Sequence, residues 1–165
     1  MASYATQHLT ERRKWQRQRD ERWDEKRFEI YARYGNALKA QLRVAQRIGT
    51  AHGFQEVGDP LEPVEGMPLL AEAESRRAAE WESVLLVGDA ATIAAARRWH
   101  ETVWGIELLV RDGHVETEVW TNAHKLMDAA REGFYRNARR DLGIAGEPPR
   151  PSGAWPGDWR AELSG

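Results

Sequence analysis

Five histidines, 26 acidic residues and no cysteine set the chemistry this chain can attempt. In a helical protein the densest use of such residues is a di-metal carboxylate centre, built from Glu-x-x-His pairs on facing helices. The residues three before His8, His52, His100, His114 and His124 are Ala5, Gly49, Arg97, Arg111 and Thr121. Every histidine therefore lacks that pairing. His114 with Glu116 and Glu118 offers imidazole and carboxylate donors at a turn edge, where such groups are ordinarily solvated rather than closed around an ion. His100 beside Glu101 has the residue types for general acid–base work, which also needs a pocket and a partner group. The spacing names neither, so His100 reads as a boundary side chain. We expect no catalytic residues, no metal and no cofactor.

Signatures for nucleotides and activated nucleophiles are missing as well. The sequence contains no G-x-x-x-x-G-K-[ST], no G-x-G-x-x-G, no G-x-S-x-G and no H-E-x-x-H. Val87-Gly88-Asp89 is a helix boundary, because a single glycine cannot make the run of amides that cradles a phosphate. Without cysteine there are no disulfides, thiolate metal sites or thiol nucleophiles. A helix-turn-helix would need two short helices and a basic recognition helix, whereas His114 to Leu126 carries little positive charge.

Binding chemistry is more visible. Residues 1–50 hold 12 Lys/Arg against 6 Asp/Glu, and residues 51–90 hold 2 against 9. The preferred reading is intramolecular, with an acidic second element lying antiparallel beside a basic first one. The sharper reading is a basic arm that reaches for nucleic acid or an anionic membrane surface. That arm, residues 11–27, is nearly all charged or amide, with Trp15 and Trp23 as its only large apolar anchors. Arg12, Arg13, Arg17, Arg19 and Arg22 give it its charge. A helix that is polar all round is not held by a core, so it must overhang, self-associate or lie on something. Aromatics among arginines suit single-stranded nucleic acid or a membrane interface. More often such tryptophans cover the end of a bundle.

The elements that position these residues follow from apolar spacing. Tyr31, Tyr34, Leu38, Leu42, Ala45 and Ile48 recur at steps of three and four, on one face of a long helix whose apolar face runs from Phe28 to Ile48. Thr10 is a candidate N-cap after a frayed start, and Gly49 a candidate C-cap. Gly35-Asn36 marks a close crossing or a kink. Residues 49–68 read as a Pro/Gly-rich connection tethered by Phe54, Val57, Leu61 and Val64. A second helix is expected over 69–87 on Leu69, Leu70, Ala73, Trp81, Val84 and Leu85. Asp89 caps a third over about 90–110, on Ile93, Ala96, Trp99, Val103, Ile106 and Val110. A fourth runs over about 116–142 on Val119, Ala123, Leu126, Ala130, Phe134 and Ala138, with Trp120, Met127 and Leu142 beside it. Gly143 ends it, with Ile144 folding back. His114 to Trp120 carries a weak strand alternation that we assign to turn and helix. Residues 145–165, rich in Pro, Gly and Ser, are expected to be disordered. Trp155 and Trp159 there are either a short binding motif or a loose contact with the bundle.

Three blocks, RWDEKRFEIYARYGNALKAQLRVA, AAEWESVLLVGDAATIAAARRWHETVWGIE and GFYRNARRDLGI, resemble a group of uncharacterised helical proteins of actinomycete bacteria. The resemblance covers residues 20–144 and implies a helical fold but no activity and no functional residues. Arginine outnumbers lysine 20 to 4, which fits a GC-rich bacterial genome. Some members of that group carry a hydrophobic segment before the basic run. Only MASYATQHL precedes it here, so the chain is a soluble member or the gene starts upstream.

The strongest apolar run, Val84 to Val87, is four residues, far short of the roughly 18 that a membrane helix needs. MASYATQHLTERRK has no apolar core before its charges and does not read as a signal peptide. The expectation is an all-α, antiparallel bundle of about four helices, cytoplasmic or peripheral to the membrane. It divides into a charged helical overhang (1–21), the bundle (22–144) and the tail (145–165). Its expected role is a non-enzymatic protein–protein interaction or scaffold module, by coiled-coil-like self-association or a protein partner. The alternative is a peripheral binder of an anionic membrane surface or, less readily, nucleic acid. The candidate contact residues are Arg12, Arg13, Trp15, Arg17, Arg19, Arg22, Trp23, Trp155 and Trp159.

Overall fold

A computed structural model describes residues 2–54 and 58–146, with side chains from 22 onward. Four helices account for nearly all of it: α1 (Ala2–Ala51), α2 (Pro63–Val87), α3 (Ala90–Asp112) and α4 (Thr117–Asp141). They form an all-α four-helix bundle, with no strand among the described residues. Ile48 meets Gly66 at one end of the α1–α2 pair, while Trp23 and Arg27 lie beside Leu86 and Val87 at the other. Those two helices are therefore antiparallel. Gly49 against Trp120 and Tyr31 against Asp141 make α1 and α4 antiparallel by the same logic.

The face of α1 is the spine of the core. Tyr31, Tyr34, Leu38, Leu42, Ala45 and Ile48 are all buried, as their spacing requires. Phe28 departs from that expectation: it is 59% exposed, and the buried face begins at Ile30. Trp99 of α3 and Phe134 of α4 complete an aromatic cluster with Tyr34, the Phe134 ring lying 5.7 Å from Tyr34 and 5.5 Å from Trp99. Such edge and tilted contacts add about 0.5–1.5 kcal/mol each beyond the area they bury. The Tyr34 hydroxyl, wholly inside, donates to the Ala96 carbonyl at 3.0 Å. Gly35 is a close crossing: a Cβ there would stand 3.1 Å from the Tyr135 hydroxyl.

Several helix ends differ from the sequence expectation. Helix α1 begins at Ala2 rather than after a Thr10 cap. It also runs past Gly49 and closes at Gly53, whose φ is 77°. There Phe54 N–H donates to the Gly49 carbonyl and Gly53 N–H to Thr50, both at 3.0 Å. This is the paired hydrogen bonding of a Schellman turn. Gly143 and Ile144 make the same pair of bonds to Arg140 and Arg139 at the end of α4, as expected there. Helix α2 starts at Pro63, six residues before Leu69. Proline suits the first helical position because its missing N–H has no intrahelical partner there anyway, and Pro68 is absorbed within the helix.

The face of α4 is rotated from the expected one. Trp120 and Met127 are buried, whereas Val119 and Leu126 are 45% and 56% exposed. On α2, Leu70, Ala73 and Val84 are buried, while Leu69 and Leu85 are exposed. In the connection, Leu61 is buried and its N–H donates to Arg47 O at 3.0 Å. Phe54 lies 5.2 Å from the Trp120 ring. Val64 is 83% exposed and tethers nothing, and Val57 lies outside the described residues.

Candidate interaction surface

Helix α1 has 50 residues and its three partners 25, 23 and 25. At 1.5 Å per residue α1 is about 75 Å long and its partners about 35–38 Å. Among the described side chains, the end of α2 meets α1 at Trp23, beside which Leu86 and Val87 lie. Residues 2–21 continue the helix past that point. Arg12, Arg13, Trp15, Arg17 and Arg19 stand on this stretch, and their side chains lie outside the described residues. Trp155 and Trp159 also lie outside them.

At the base of the extension the surface mixes apolar and charged side chains. Trp23 is 54% exposed and Leu86 is 86% exposed. With Asp24, Arg27 and Val87 they line a shallow pocket of about 440 Å³. Arg22 is exposed on the same stretch and has an interaction of its own. Tryptophan is enriched at protein contacts because it is large, rigid and amphipathic. Trp23 thus covers the end of α2 in part and leaves half of itself to solvent.

A polar knot beside the pocket ties α1 to α3 and α4. The Tyr31 hydroxyl donates a hydrogen bond to Asp141 Oδ2. Arg27 lies 3.7 Å from Asp141 Oδ1, and Asp89 N–H donates to Oδ2 at 3.4 Å. One carboxylate therefore joins α1, the start of α3 and the end of α4. Burial, then the Asp141 bond, pushes the Tyr31 hydroxyl well above its ordinary range. Asp89 accepts from Thr92 N–H at 2.6 Å as the cap of α3, which holds its carboxyl below the usual range.

A second polar set crosses the core. Gln41 Nε2 donates to Glu107 Oε2 at 2.8 Å, and Arg111 Nε and Nη2 donate to Oε1 at 2.9 and 2.6 Å. Gln41, Glu107 and Asp141 were not singled out in the sequence, since Gln41 and Glu107 each sit alone among apolar neighbours and Asp141 follows two arginines, none of them in a motif. The basic first helix and acidic second helix do meet, through Arg33 and Glu80 at 3.2 Å.

His100 and His124 are both partly buried. Burial lowers the basicity of His100, with Arg77 adding to the effect. His124 is also lowered by burial and shares its Nδ1 with the Trp120 carbonyl at 3.0 Å. Among the described residues no three His, Asp or Glu side chains converge in a way that could hold a metal ion. Nor is any of their helices long and apolar enough to cross a membrane. No family model, no curated protein and no solved structure matches this chain.

Proposed function

We propose that this chain is a non-enzymatic helical interaction protein that self-associates through the first half of α1. The observation that carries the reading is the length of α1 against its partners: residues 2–21 continue the helix past Trp23, where the end of α2 meets it. An isolated polar helix of that length is marginal in water, so a partner helix would supply the packing it lacks. Trp15 and Trp23, eight residues apart, are the apolar anchors of that contact, and exposed Leu86 extends it onto α2. The resemblance to uncharacterised actinomycete helical proteins belongs to the same proposal, as does a cytoplasmic location.

Sedimentation over a dilution series, with amide hydrogen exchange of residues 11–27, tests it. The expected result is a mass that falls on dilution and protection of 11–27 that falls with it. A strict monomer with 11–27 unprotected would refute the reading.

A second reading rests on the charge of the same stretch: a peripheral binder of an anionic lipid surface or nucleic acid. Replacing Arg12, Arg13, Arg17, Arg19 and Arg22 would then abolish salt-sensitive binding to anionic vesicles or a single-stranded oligonucleotide. Unchanged binding would dismiss it.

A further inference from the structure

Between α1 and the end of α4 lies a groove of about 450 Å³ to which α2 contributes no residue. Phe28, Tyr31 and Ala32 form one wall, and Tyr135, Leu142 and Ile144 the other. Phe28 and Ile144 are 59% and 41% exposed, so the apolar lining is open to solvent. Lys39 and Arg139 stand at its rim.

The chain leaves the bundle at this groove. Ile144 is both a wall residue and the last residue of the Schellman turn. Arg139 Nη2 then donates to the carbonyls of Ala145 and Gly146 at 3.3 and 3.4 Å, which sets the exit along the rim. Its Nε is buried with no acceptor. A buried N–H left unpaired costs about 1–3 kcal/mol, so the groove wall holds a donor in want of an acceptor.

We propose that this groove is the docking site of the chain's own C-terminal segment carrying Trp155 and Trp159. The segment after Gly146 has 19 residues, two of them tryptophan, with Glu147, Asp158 and Glu162 as its acidic members and Arg150 and Arg160 as its basic ones. The indoles suit the apolar walls, and the carboxylates suit Lys39 and Arg139. Reach is not limiting: nine residues from Gly146 to Trp155 span up to about 30 Å. A ligand on so short a tether is presented at roughly millimolar effective concentration, so a weak indole contact is enough to fill the groove. This site is separate from the α1 extension and stands whether or not the chain self-associates.

The test uses the full chain grown with 5-fluorotryptophan, its tail resonances assigned by Trp155→Phe and Trp159→Phe. The expected result is a Trp155 fluorine line displaced from its position in urea and shielded from the H2O/D2O solvent shift. Ile144→Asp should return it to the urea position while the buried Trp99 and Trp120 lines stay in place. Should Ile144→Asp disturb those core lines, Phe28→Glu on the opposite, exposed wall makes the same comparison. Native tail lines at the urea position would overturn the proposal. So would a displaced line indifferent to both groove variants. A displacement lost on dilution would overturn it in favour of a second copy as occupant.

Discussion

The Trp120 indole lies so close to the backbone of Gly49 that a Cβ at Gly49 would stand 2.6 Å from the ring. This contact locks the end of α1 to the start of α4, beneath Phe54 and the Schellman turn. Gly49→Ala gains about 1 kcal/mol of helix propensity but must displace the indole, an overpacking cost of about 1–3 kcal/mol. We predict a net loss of stability in urea unfolding and a changed near-ultraviolet signal from Trp120. Gly105 has open space where its Cβ would go, so Gly105→Ala should stabilise by about 0.5–1 kcal/mol.

Tyr31→Phe removes the hydroxyl that binds Asp141. A hydrogen bond to a charged group is worth about 1.5–3 kcal/mol, and that is the loss expected at neutral pH. Because burial and Asp141 raise the folded tyrosine above its ordinary 10.0, its contribution is complete below that pH and is lost as pH rises beyond it. Denaturant midpoints above pH 10 should therefore fall less steeply for Tyr31→Phe than for the parent chain.

Asp89→Ala removes the cap of α3 and should cost about 1 kcal/mol at neutral pH. The folded Asp89 carboxyl sits below its ordinary 3.8. Its contribution is present above that value and disappears as pH falls through the lower folded one. Unfolding curves of the two proteins should converge in acid below pH 3.8; a constant offset would assign the effect to something other than the charge.

His100 and His124 are both held less basic than the ordinary 6.5 by burial. Arg77 and Glu74 face His100 from α2, and Glu101 and Glu107 share its own helix. An unfolded chain takes up these protons first, so stability should drop as pH falls below 6.5. His124→Gln, which keeps a donor for the Trp120 carbonyl, should show a shallower drop between pH 7 and 5. An identical slope would place the acid sensitivity elsewhere.

The core face of α1 was legible because six residues from Tyr31 to Ile48 repeat at three and four on one side of a helix. The face of α4 was not, because two stripes share Ala123, Ala130, Phe134 and Ala138. One adds Val119 and Leu126 and the other Trp120 and Met127. Periodicity alone does not choose between them; the larger indole wins by filling the space that Gly49 leaves. Prolines 63 and 68 read as breakers, yet one opens α2 and the other is absorbed near its start. The length of α1 was partly legible, since the charged run with its tryptophans is made of good helix formers and the helix does continue through it. The position of Trp23 beside Leu86 was not, as it depends on where α2 ends against α1. Nor was the Tyr31–Asp141 bond, which spans 110 residues.

Light scattering on the full chain at low and at high salt tests the central claim most directly, that α1 extends beyond the bundle as a surface for another copy. The prediction is a dimer or larger species that persists at high salt, because packing rather than screened charge holds it. A monomer at both salt concentrations would contradict it.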